Sequence, residues 1–582
     1  MNYKEITDTY QKIEATTKRL EIIDFLVSLI KKIPSDLIGK VIYLTQGKLY
    51  PDYEGVEIGM AEKLVIRSLV IATKKNDEEV NKVLNRVGDL GHVAHELLPK
   101  KETSKLPVIY VYEILDKIAK KYGEGSVAEK VNLLADILAK ATAEEGKYII
   151  RTITGKLRLG MADMTMIDAL SIVYGGGKQN RHIVERSYNI TSDLGMIAER
   201  IAKRGLKSVE KINVMVGKPI RPMLAERLSD PNEILQKLNG EAAIEYKYDG
   251  ERIQIHKNGD KIALFSRRLE NTTHQFPDLV EFVKKNIKAK TVIMEGEAVA
   301  VNLNTGELRP FQDLMRRRRK HEITKTIEDY PIVIFLFDIL FLNGKDLTKT
   351  SLPQRRKALE KIVNETEQIR LSYYKEVKDA KEIEEFFEIS VEEGLEGLMC
   401  KSTAEDSFYK AGARGWQWIK YKRDYKSEMT DTADLVVVGA LHGRGRRAAF
   451  YGSLLLAIYD KKTDTFKTIT KLGSGFTDVD LAKLPKILKP YEISHIHPRV
   501  DSIMKADQWF TPGLVLEVIG AELTLSPIHK AAWGKLKKDA GIAIRFPRFT
   551  GKYRDDKAPE DATETKEIVE MYKSRIKSIK KK

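Results

Sequence analysis

The clearest candidate for covalent chemistry is a lysine within the run Glu245–Arg252. Side chains on a strand alternate between its two faces, so Glu245 and Lys247 are expected on one face and the neighbouring tyrosines on the other. A lysine attacks phosphorus only as the free amine, and desolvation or nearby positive charge favours that form by lowering its pKa. Because Arg252 follows five residues later, the pattern suits phosphoryl transfer. A surface lysine in a hairpin is the alternative.

Carboxylates form a second group of candidates. Glu295 and Glu297 fall on one face of the β-rich run Thr291–Val301. Acids beside the charged phosphates of a substrate are favourable mainly when a divalent cation lies between them, and Mg²⁺ prefers such oxygen ligands. A structural salt bridge is the alternative for either acid, and it is the preferred interpretation for Glu295. Asp338 interrupts the apolar strand pattern of Ile332–Leu342, so it needs a partner, either a base or a metal.

Two further bases, Lys420 and Lys422, alternate on one strand face. Ammonium groups beside a phosphate would neutralise the charge that develops on the transferred group, and they would also lower the pKa of Lys247. A paired basic edge strand is the alternative.

The elements that must position these side chains fall into three segments. Residues 1 to about 215 show helical periodicity, as in Val127–Ala141 and Met164–Val173. From about 216 to 424, short β-rich runs alternate with helical patterns, which indicates an α+β or α/β domain. From about 425 to 582, short strands and glycine turns favour a small β-barrel.

Composition indicates the class of partner. The 582 residues carry 100 basic and 84 acidic side chains, a net charge of +16. This excess favours a polyanion, because counterions are released when basic side chains neutralise the phosphates of a nucleic acid. Cys400 is the only cysteine, which excludes an intrachain disulfide and a cysteine-based zinc site. The first residues lack a signal-peptide pattern and the apolar runs are too short to span a bilayer, so we expect a cytoplasmic protein without membrane association.

Seven segments, in order along the chain, resemble the motifs of covalent nucleotidyltransferases, and specifically of ATP-dependent DNA ligases of the archaeal and eukaryotic type. They are Lys247–Arg252, Ser266–Arg268, Glu295–Glu297, Phe337–Asp338, Glu396–Lys401, Trp418–Lys422, and Arg545–Arg548 followed by Arg554–Lys557. The resemblance extends over essentially the whole chain. It implies a multidomain fold: an all-α DNA-binding domain (1–215), an α+β, ATP-grasp-like nucleotidyltransferase domain (216–424) and a C-terminal OB-fold β-barrel (425–582).

The same resemblance implies a reaction. Ligases of this type seal nicks between a 3′-hydroxyl and a 5′-phosphate in duplex DNA through a lysyl-AMP and then a DNA-adenylate, in DNA replication, repair and recombination. ATP is the cosubstrate, with Mg²⁺ as the metal and Mn²⁺ as its substitute. Nicked duplex DNA is the expected partner of a nucleoid-associated monomer. A sliding clamp is a further family expectation, for which the sequence contains no clear binding motif.

The resemblance also implies roles for individual residues. Lys247 carries the adenylate, Phe337 stacks on the adenine, and Glu245 lies nearest that base. The full set of nucleotide contacts is Glu245, Arg252, Arg267, Glu297, Phe337, Arg414, Lys420 and Lys422. The metal contacts are Glu297 and Glu396. The closing motif, which orients pyrophosphate during the first step, contains Arg545, Arg548, Asp556 and Lys557.

Three basic or glycine-rich segments outside these motifs are candidates for DNA contact: Thr154–Met161, Arg316–Lys320 and His442–Arg447. Thr154–Met161 resembles the DNA-binding domain of large ligases, where glycines let backbone amides approach phosphates. For Arg316–Lys320 the alternatives are contact with phosphate or with another domain, and a solvated charge run. For His442–Arg447 the alternative to DNA contact is a basic turn.

Three related enzymes and a non-catalytic scaffold are the alternatives to an ATP-dependent DNA ligase. An RNA-capping guanylyltransferase or an RNA ligase shares the Lys247 motif, but the long helical extension and the form of the closing motif favour a DNA ligase. The cysteine count argues against an NAD-dependent ligase, which needs a cysteine zinc site. The intact Lys247, Glu297 and Glu396 argue against a scaffold that binds nicks without chemistry.

Overall fold

The computed structural model describes residues 1–101, 104–157, 159–301, 308–309, 311–318, 327–392, 395–422, 431–442, 450–520, 522–526, 528–545 and 547–580. The chain divides into two compact units, Met1–Tyr421 and Lys422–Lys582. Among the helices of the described residues, none is both long enough and apolar enough to cross a membrane.

The first unit begins with a helical region. Its α-helices are Tyr3–Glu14, Arg19–Ile30, Ile38–Thr45, Glu62–Thr73, Asp77–Val87, Leu90–Leu97, Val108–Lys120, Ser126–Lys140, Ala143–Ile153, Asp163–Tyr174, Arg181–Thr191, Leu194–Arg204 and Leu206–Glu210. Apolar side chains at helical spacing bury one face of each amphipathic helix, as Ile6, Tyr10 and Ile13 do in the first. Polar residues start several helices: the Thr142 hydroxyl accepts the backbone N–H of Glu145, whose carboxylate accepts that of Thr142.

The rest of the first unit is built on two sheets. Their strands are β1 (Leu224–Arg227), β2 (Ala242–Lys247), β3 (Glu251–Asn258), β4 (Lys261–Ser266), β5 (Thr291–Ala300), β6 (Ile332–Leu342), β7 (Lys345–Asp346), β8 (Ile369–Leu371), β9 (Tyr374–Val377), β10 (Gly397–Lys401) and β11 (Arg414–Lys422). The first sheet has the order β1-β11-β10-β2-β9, and the second has the order β4-β3-β5-β6-β7, with β8 beside β6.

Helices cover one face of each sheet. Pro231–Lys237 and Ala380–Glu392 pack on the first sheet, and Pro277–Asn286 and Leu352–Ile362 pack on the second. A short helix, Phe311–Leu314, contacts β5. Because alternate residues of a strand point to opposite faces, the other face of each sheet carries the charged and aromatic side chains described below.

The helical region and the sheets share part of one hydrophobic core. The cluster that fills the helical region also includes Ile220 and Met223 from the connecting segment, and Ile293 and Trp418 from the two sheets. The helical and α+β parts therefore pack together within the first unit. A domain boundary near residue 215 stays a prediction.

The second unit is rich in β-structure. Its strands are β12 (Ala433–His442), β13 (Tyr451–Asp460), β14 (Thr465–Leu472), β15 (Glu492–Ile493), β16 (Val500–Asp501), β17 (Gln508–Phe510), β18 (Val515–Ile519), β19 (Glu522–Ser526), β20 (Gly541–Arg545) and β21 (Arg548–Tyr553). An eight-stranded sheet has the order β15-β17-β12-β13-β14-β16, with β18 joining β12 to β21, while β19 pairs with β20. Helices Asp478–Leu488 and Thr565–Lys580 complete the unit. The succession of all-α, α+β and β-rich parts confirms the predicted fold class.

Candidate active site

Lys247 lies at the end of β2, next to β10. The Lys247 carbonyl accepts the backbone N–H of Glu396 at 3.0 Å, and Lys247 Nζ lies 2.6 Å from the Glu396 carboxylate. The two side chains are 23% and 30% exposed, so the pair lies where a substrate can reach it. An ammonium held in this way is not a nucleophile, so attack requires that Lys247 leave Glu396 and lose a proton.

The turn after β2 brings a second glutamate towards this pair. A Cβ at Gly250 would lie 2.3 Å from the Ala298 carbonyl oxygen, so only glycine lets the turn pass this close to β5. On β5, Glu297 lies directly opposite Arg252 of β3.

The electrostatics of Glu297 reflect its neighbours. Burial raises the pKa of Glu297 to about 7. The positive charges of Lys247 and Arg252 lower this pKa, while the negative charges of Glu396 and Asp249 raise it further. The structure therefore brings together three residues predicted from the sequence: Lys247, Glu297 and Glu396.

These two glutamates form a donor set that suits a hard divalent cation. Mg²⁺ commonly takes one or two carboxylates and completes its shell with water and substrate phosphates. Within the described residues, no cluster of three or more His, Cys, Asp or Glu side chains is assembled. The carboxylates of Glu297 and Glu396 match the share of ligands that Mg²⁺ takes from a protein, with water and substrate phosphate as the others.

Arg252 makes several contacts on the inner face of the second sheet, which is the face opposite its helices. Its Nη2 lies 2.7 Å from the Glu295 carboxylate, which also accepts the Tyr409 hydroxyl at 2.9 Å. Its Nη1 donates to the Met223 carbonyl at 2.9 Å. The structural salt bridge preferred for Glu295 is thereby confirmed.

A second ion pair on β2 is buried. Lys401 Nζ lies 2.7 Å from the Glu245 carboxylate, and the two side chains are only 2% and 3% exposed. The same ammonium lies 4.9 Å from the ring centre of Phe337 and 4.5 Å from that of Trp418. Glu245 precedes Lys247 by two residues on one strand face. The charged faces of the two sheets, together termed the cleft, therefore combine an aromatic region around Glu245 with an ionic region around Lys247.

Similarity to known proteins establishes the family to which this cleft belongs. Residues 2–171 match the family model "DNA ligase N terminus", residues 222–422 match "ATP dependent DNA ligase domain", and residues 447–557 match "ATP dependent DNA ligase C terminal region". A protein of Thermofilum pendens named DNA ligase 2 is 54% identical over 589 residues, which cover 99% of this chain and 98% of the relative. A probable DNA ligase of Aquifex aeolicus is 51% identical over 580 residues, 99% of each chain. The chain belongs to the ATP-dependent DNA ligases.

A solved structure supports the fold of the ligase. The structure titled Pmar-Lig_PreS3 aligns with a TM-score of 0.54 at 18% identity, over 94% of this chain and 99% of that chain. Likeness at this identity concerns the fold alone. Family membership makes the protein an enzyme that seals nicked DNA with ATP.

Asp338 has a structural role in the ligase. Arg355 Nε lies 2.7 Å from its carboxylate, and both side chains are fully buried. Arg355 also donates to the carbonyls of Thr350 and Ser407. Of the two partners considered for Asp338, a base or a metal, the base is present.

The other bases assigned to the nucleotide lie on or beside β4 and β11. Arg267 follows β4 and Arg414 begins β11, and both are exposed. Lys420 and Lys422 are partly buried on β11, where Lys420 lies opposite Arg227 of β1. Their contacts with a nucleotide stay predictions.

The closing motif of the ligase lies in the second unit. Arg545 ends β20, and Arg548 begins β21. Lys557 Nζ lies 2.7 Å from the Asp434 carboxylate. Asp556 pairs with Arg554 at 2.8 Å, and this arginine lowers the pKa of the Asp556 carboxyl well below its usual range.

The basic run that begins at Arg316 is not uniformly solvated. Arg317 is almost completely buried, and its guanidinium makes two hydrogen bonds to the Asp278 carboxylate. Arg316 is 54% exposed beside Tyr330. Arg317 is therefore a structural residue, and only Arg316 of this pair is available to DNA.

Parts of the predicted DNA contacts lie outside the described residues. These are Arg158, Arg319, Lys320 and residues 443–447. In the segment Thr154–Met161, Gly155 and Gly160 have φ values of 64° and 69°, which glycine adopts without strain.

Two residues of the cleft had no role in the sequence analysis. Lys401 lies within a recognised motif, and strand alternation places it on the face of β10 that pairs with Glu245. Tyr409 follows β10 in a segment with no periodic pattern, so the sequence contained no signal for its contact with Glu295.

Proposed function

We propose that this ligase seals nicks between a 3′-hydroxyl and a 5′-phosphate in duplex DNA through an AMP group bound covalently to Lys247. The observation that carries the proposal is the contact of Lys247 with Glu396 in a cleft that also contains Glu297. An accessible lysine beside two carboxylates becomes a nucleophile towards a phosphate once it separates from its partner and loses a proton.

A nucleotide would use both regions of the cleft, the aromatic one and the ionic one. The base lies at the aromatic region, with Phe337 stacked on the adenine and Glu245 nearest its edge. The α-phosphate then lies at Lys247, which is two residues further along β2. The ribose and phosphates are contacted by five basic residues: Arg252, Arg267, Arg414, Lys420 and Lys422. Their positive charge neutralises the negative charge of the transferred phosphoryl group.

Glu297 and Glu396 would hold the metal ion, with Mg²⁺ as the physiological ion and Mn²⁺ as a substitute of similar ligand preference. When bound, such an ion neutralises phosphate charge and polarises the phosphoryl oxygens. In that role Glu396 would no longer hold Lys247 Nζ, and the Lys247 amine would be available for attack. In the closing motif, Arg545, Arg548, Asp556 and Lys557 orient the departing pyrophosphate.

The reaction has three steps. The Lys247 amine, having lost its proton, bonds to the α-phosphorus of ATP as the bond to the β-phosphate oxygen breaks and pyrophosphate leaves. An oxygen of the 5′-phosphate at the nick then attacks the same phosphorus, the P–N bond breaks, and Lys247 regains a proton. Finally the 3′-hydroxyl attacks the 5′-phosphorus and loses its proton, and AMP leaves as the phosphodiester forms. The P–N bond retains the phosphoryl-transfer potential that the later steps use.

The proposal extends to the partners of the ligase and to its location. The ligase acts as a monomer on nicked duplex DNA at the nucleoid, and its helical residues 1–215 form the DNA-binding domain. Net charge of +16 supports binding to the duplex. A sliding clamp is a further candidate partner, on family grounds alone.

The test of this proposal uses ATP labelled at the α-phosphate, with Mg²⁺ and the full-length enzyme. The protein should gain one acid-labile label, Lys247→Arg should gain none, and Lys375→Arg, a lysine of the same sheet, should label normally. Addition of a nicked duplex should remove the label from the protein and produce sealed DNA. Label that persists in Lys247→Arg would place the nucleophile elsewhere, and preferential transfer from GTP would indicate a capping enzyme.

A further inference from the structure

The inner face of the first sheet carries a lysine that the proposed reaction does not use. Lys401 on β10 lies opposite Ala243 and diagonally across from Glu245 of β2. Its ammonium is 2.7 Å from the Glu245 carboxylate, and both side chains are almost completely buried. A buried charge is costly unless it is paired, so each of these groups depends on the other for its charge.

Lys401 determines the hydrogen-bonding character of Glu245 as well as its position. Burial raises the pKa of the Glu245 carboxyl, and Lys401 is the main opposing influence, followed by Arg356. An ionised carboxylate can only accept hydrogen bonds, whereas a protonated carboxyl can also donate one. The ion pair with Lys401, 2.7 Å away, favours the ionised form of Glu245, in which the carboxylate only accepts hydrogen bonds.

Aromatic neighbours fix the same ammonium. Lys401 Nζ contacts the ring faces of Phe337 and Trp418 at 4.9 and 4.5 Å from their centres. These two rings meet edge to face, with 6.2 Å between their centres. One lysine therefore connects Phe337 and Trp418 with the Glu245 carboxylate.

We propose that Lys401 is a positioning residue for base selection, which acts through Glu245 to favour 6-aminopurine nucleotides over 6-oxopurine nucleotides. The inference rests on the proposed function, in which Glu245 lies nearest the base. The 6-amino group of adenine donates hydrogen bonds to an acceptor, while the 6-oxo group of hypoxanthine or guanine presents a second acceptor to it. An acceptor-only carboxylate therefore stabilises the first and repels the second.

The experiment compares ATP with inosine triphosphate, whose base carries a 6-oxo group in place of the 6-amino group and a hydrogen on N1. Transfer of α-phosphate label to the full-length protein is measured against nucleotide concentration for the wild type and for Lys401→Met. The wild type should prefer ATP. In Lys401→Met, the ratio of kcat/KM for ATP to kcat/KM for inosine triphosphate should fall about tenfold or more, and most of the change should lie in KM. The reason is that Glu245, without a charged neighbour, can take up a proton and donate a hydrogen bond to the 6-oxo group.

Three further variants make the result specific. Glu245→Gln has an amide that can donate to a 6-oxo group, so it should also accept inosine triphosphate. The double variant Glu245→Gln with Lys401→Met leaves no unpaired buried charge, so it tests selection even where Lys401→Met folds poorly. Lys375→Met is the matched control, because Lys375 lies on the same sheet and pairs with Glu382 at a half-exposed surface, 2.9 Å away. Its selectivity should equal that of the wild type.

The outcomes separate this inference from the proposed function. Equal losses with both nucleotides, at an unchanged ratio, would give Lys401 a purely structural role and overturn the inference. A double variant that retains the wild-type preference for ATP would overturn it as well. Failure of the wild type to take up label from either nucleotide would instead overturn the proposed function.

Discussion

At the scale of single residues, the cleft contains acids of similar type whose partners give them different roles. Glu245 and Glu295 each pair with a base in nearly complete burial, whereas Glu396 pairs with Lys247 where both side chains are partly exposed. Loss of one member of a buried pair leaves an unpaired buried charge and typically costs several kcal/mol, while exposed pairs contribute little. The buried pairs are therefore suited to hold geometry, and the accessible pair is suited to exchange partners during a reaction.

The raised pKa of Glu297 predicts a pH-dependent stability in the nucleotide-free enzyme. The pKa is about 7 in the folded protein, against 4.5 for an ordinary glutamate. Between these values the folded state binds a proton that the unfolded state lacks, so this contribution to stability is present at low pH and is lost as pH rises through about 7. Glu297→Gln removes this titration. The free energy of unfolding of the variant minus that of the wild type should therefore rise between about pH 5 and about pH 8, by at most about 3 kcal/mol.

Denaturant unfolding at several pH values, without nucleotide or metal, measures this difference. A difference between Glu297→Gln and the wild type that is the same at every pH would show that Glu297 does not titrate in this range.

At the scale of elements, buried polar side chains on strands β3 and β6 of the second sheet bind segments that pack against the sheet. On β3, the Gln254 side chain bonds both the N–H and the carbonyl of Ile220, at 2.7 and 2.9 Å. His256 Nδ1 accepts the backbone N–H of Gly217 at 2.9 Å, and burial lowers the pKa of His256 to about 3. The histidine therefore stays neutral at physiological pH, and the connection between the helical and α+β parts is fixed to the sheet.

On β6, the pair Asp338–Arg355 predicts a large stability effect. Arg355→Met should lower the free energy of unfolding by about 3–5 kcal/mol, because the Asp338 carboxylate would remain buried without its partner. Arg370→Met is the matched control, since Arg370 is an exposed residue on the adjacent strand β8. Combining Arg355→Met with Asp338→Leu should recover part of the loss. Equal stabilities for the Arg355 and Arg370 variants would show that the pair contributes nothing.

Elements were more predictable from the sequence than long-range partners. Helical periodicity placed a helix at Val127–Ala141, and the structure has Ser126–Lys140, because the apolar spacing that marks a helix is local. Strand alternation and motif resemblance likewise brought Lys247, Glu297 and Glu396 to one site. The partners Lys401, Arg355 and Tyr409 were missed because sheet register and loop packing determine them. Such contacts join residues that are far apart in the chain.

At the scale of the whole molecule, the basic excess of +16 supports binding to a duplex, but individual bases differ in what they contribute. Arg316 and Arg317 are adjacent in sequence, yet the first is 54% exposed and the second is buried against Asp278. A count of charges in a basic run therefore overestimates the charge available to DNA.

This pair provides a matched test of DNA binding. If Arg316 contacts a phosphate, Arg316→Ala should reduce the slope of log affinity against log salt by about 1 for a nicked duplex, with little change in stability. Arg317→Ala should leave the slope unchanged and lower the free energy of unfolding, because Asp278 would lose its partner. Binding titrations at several salt concentrations, together with thermal unfolding, measure both quantities. An unchanged slope for Arg316→Ala would make Arg316 an ordinary solvated residue.

The contact between Lys247 and Glu396 also affects how the resting enzyme ages. A protonated amine held by a carboxylate reacts poorly with aldehydes, cyanate and other electrophiles of the cell, because only the neutral amine has the lone pair that attacks them. Lys247, to which the proposed function assigns the adenylate, is thereby shielded from such reagents between catalytic cycles. Slow carbamylation of Lys247, compared with the more exposed lysines of the same chain, would be the signature of this protection.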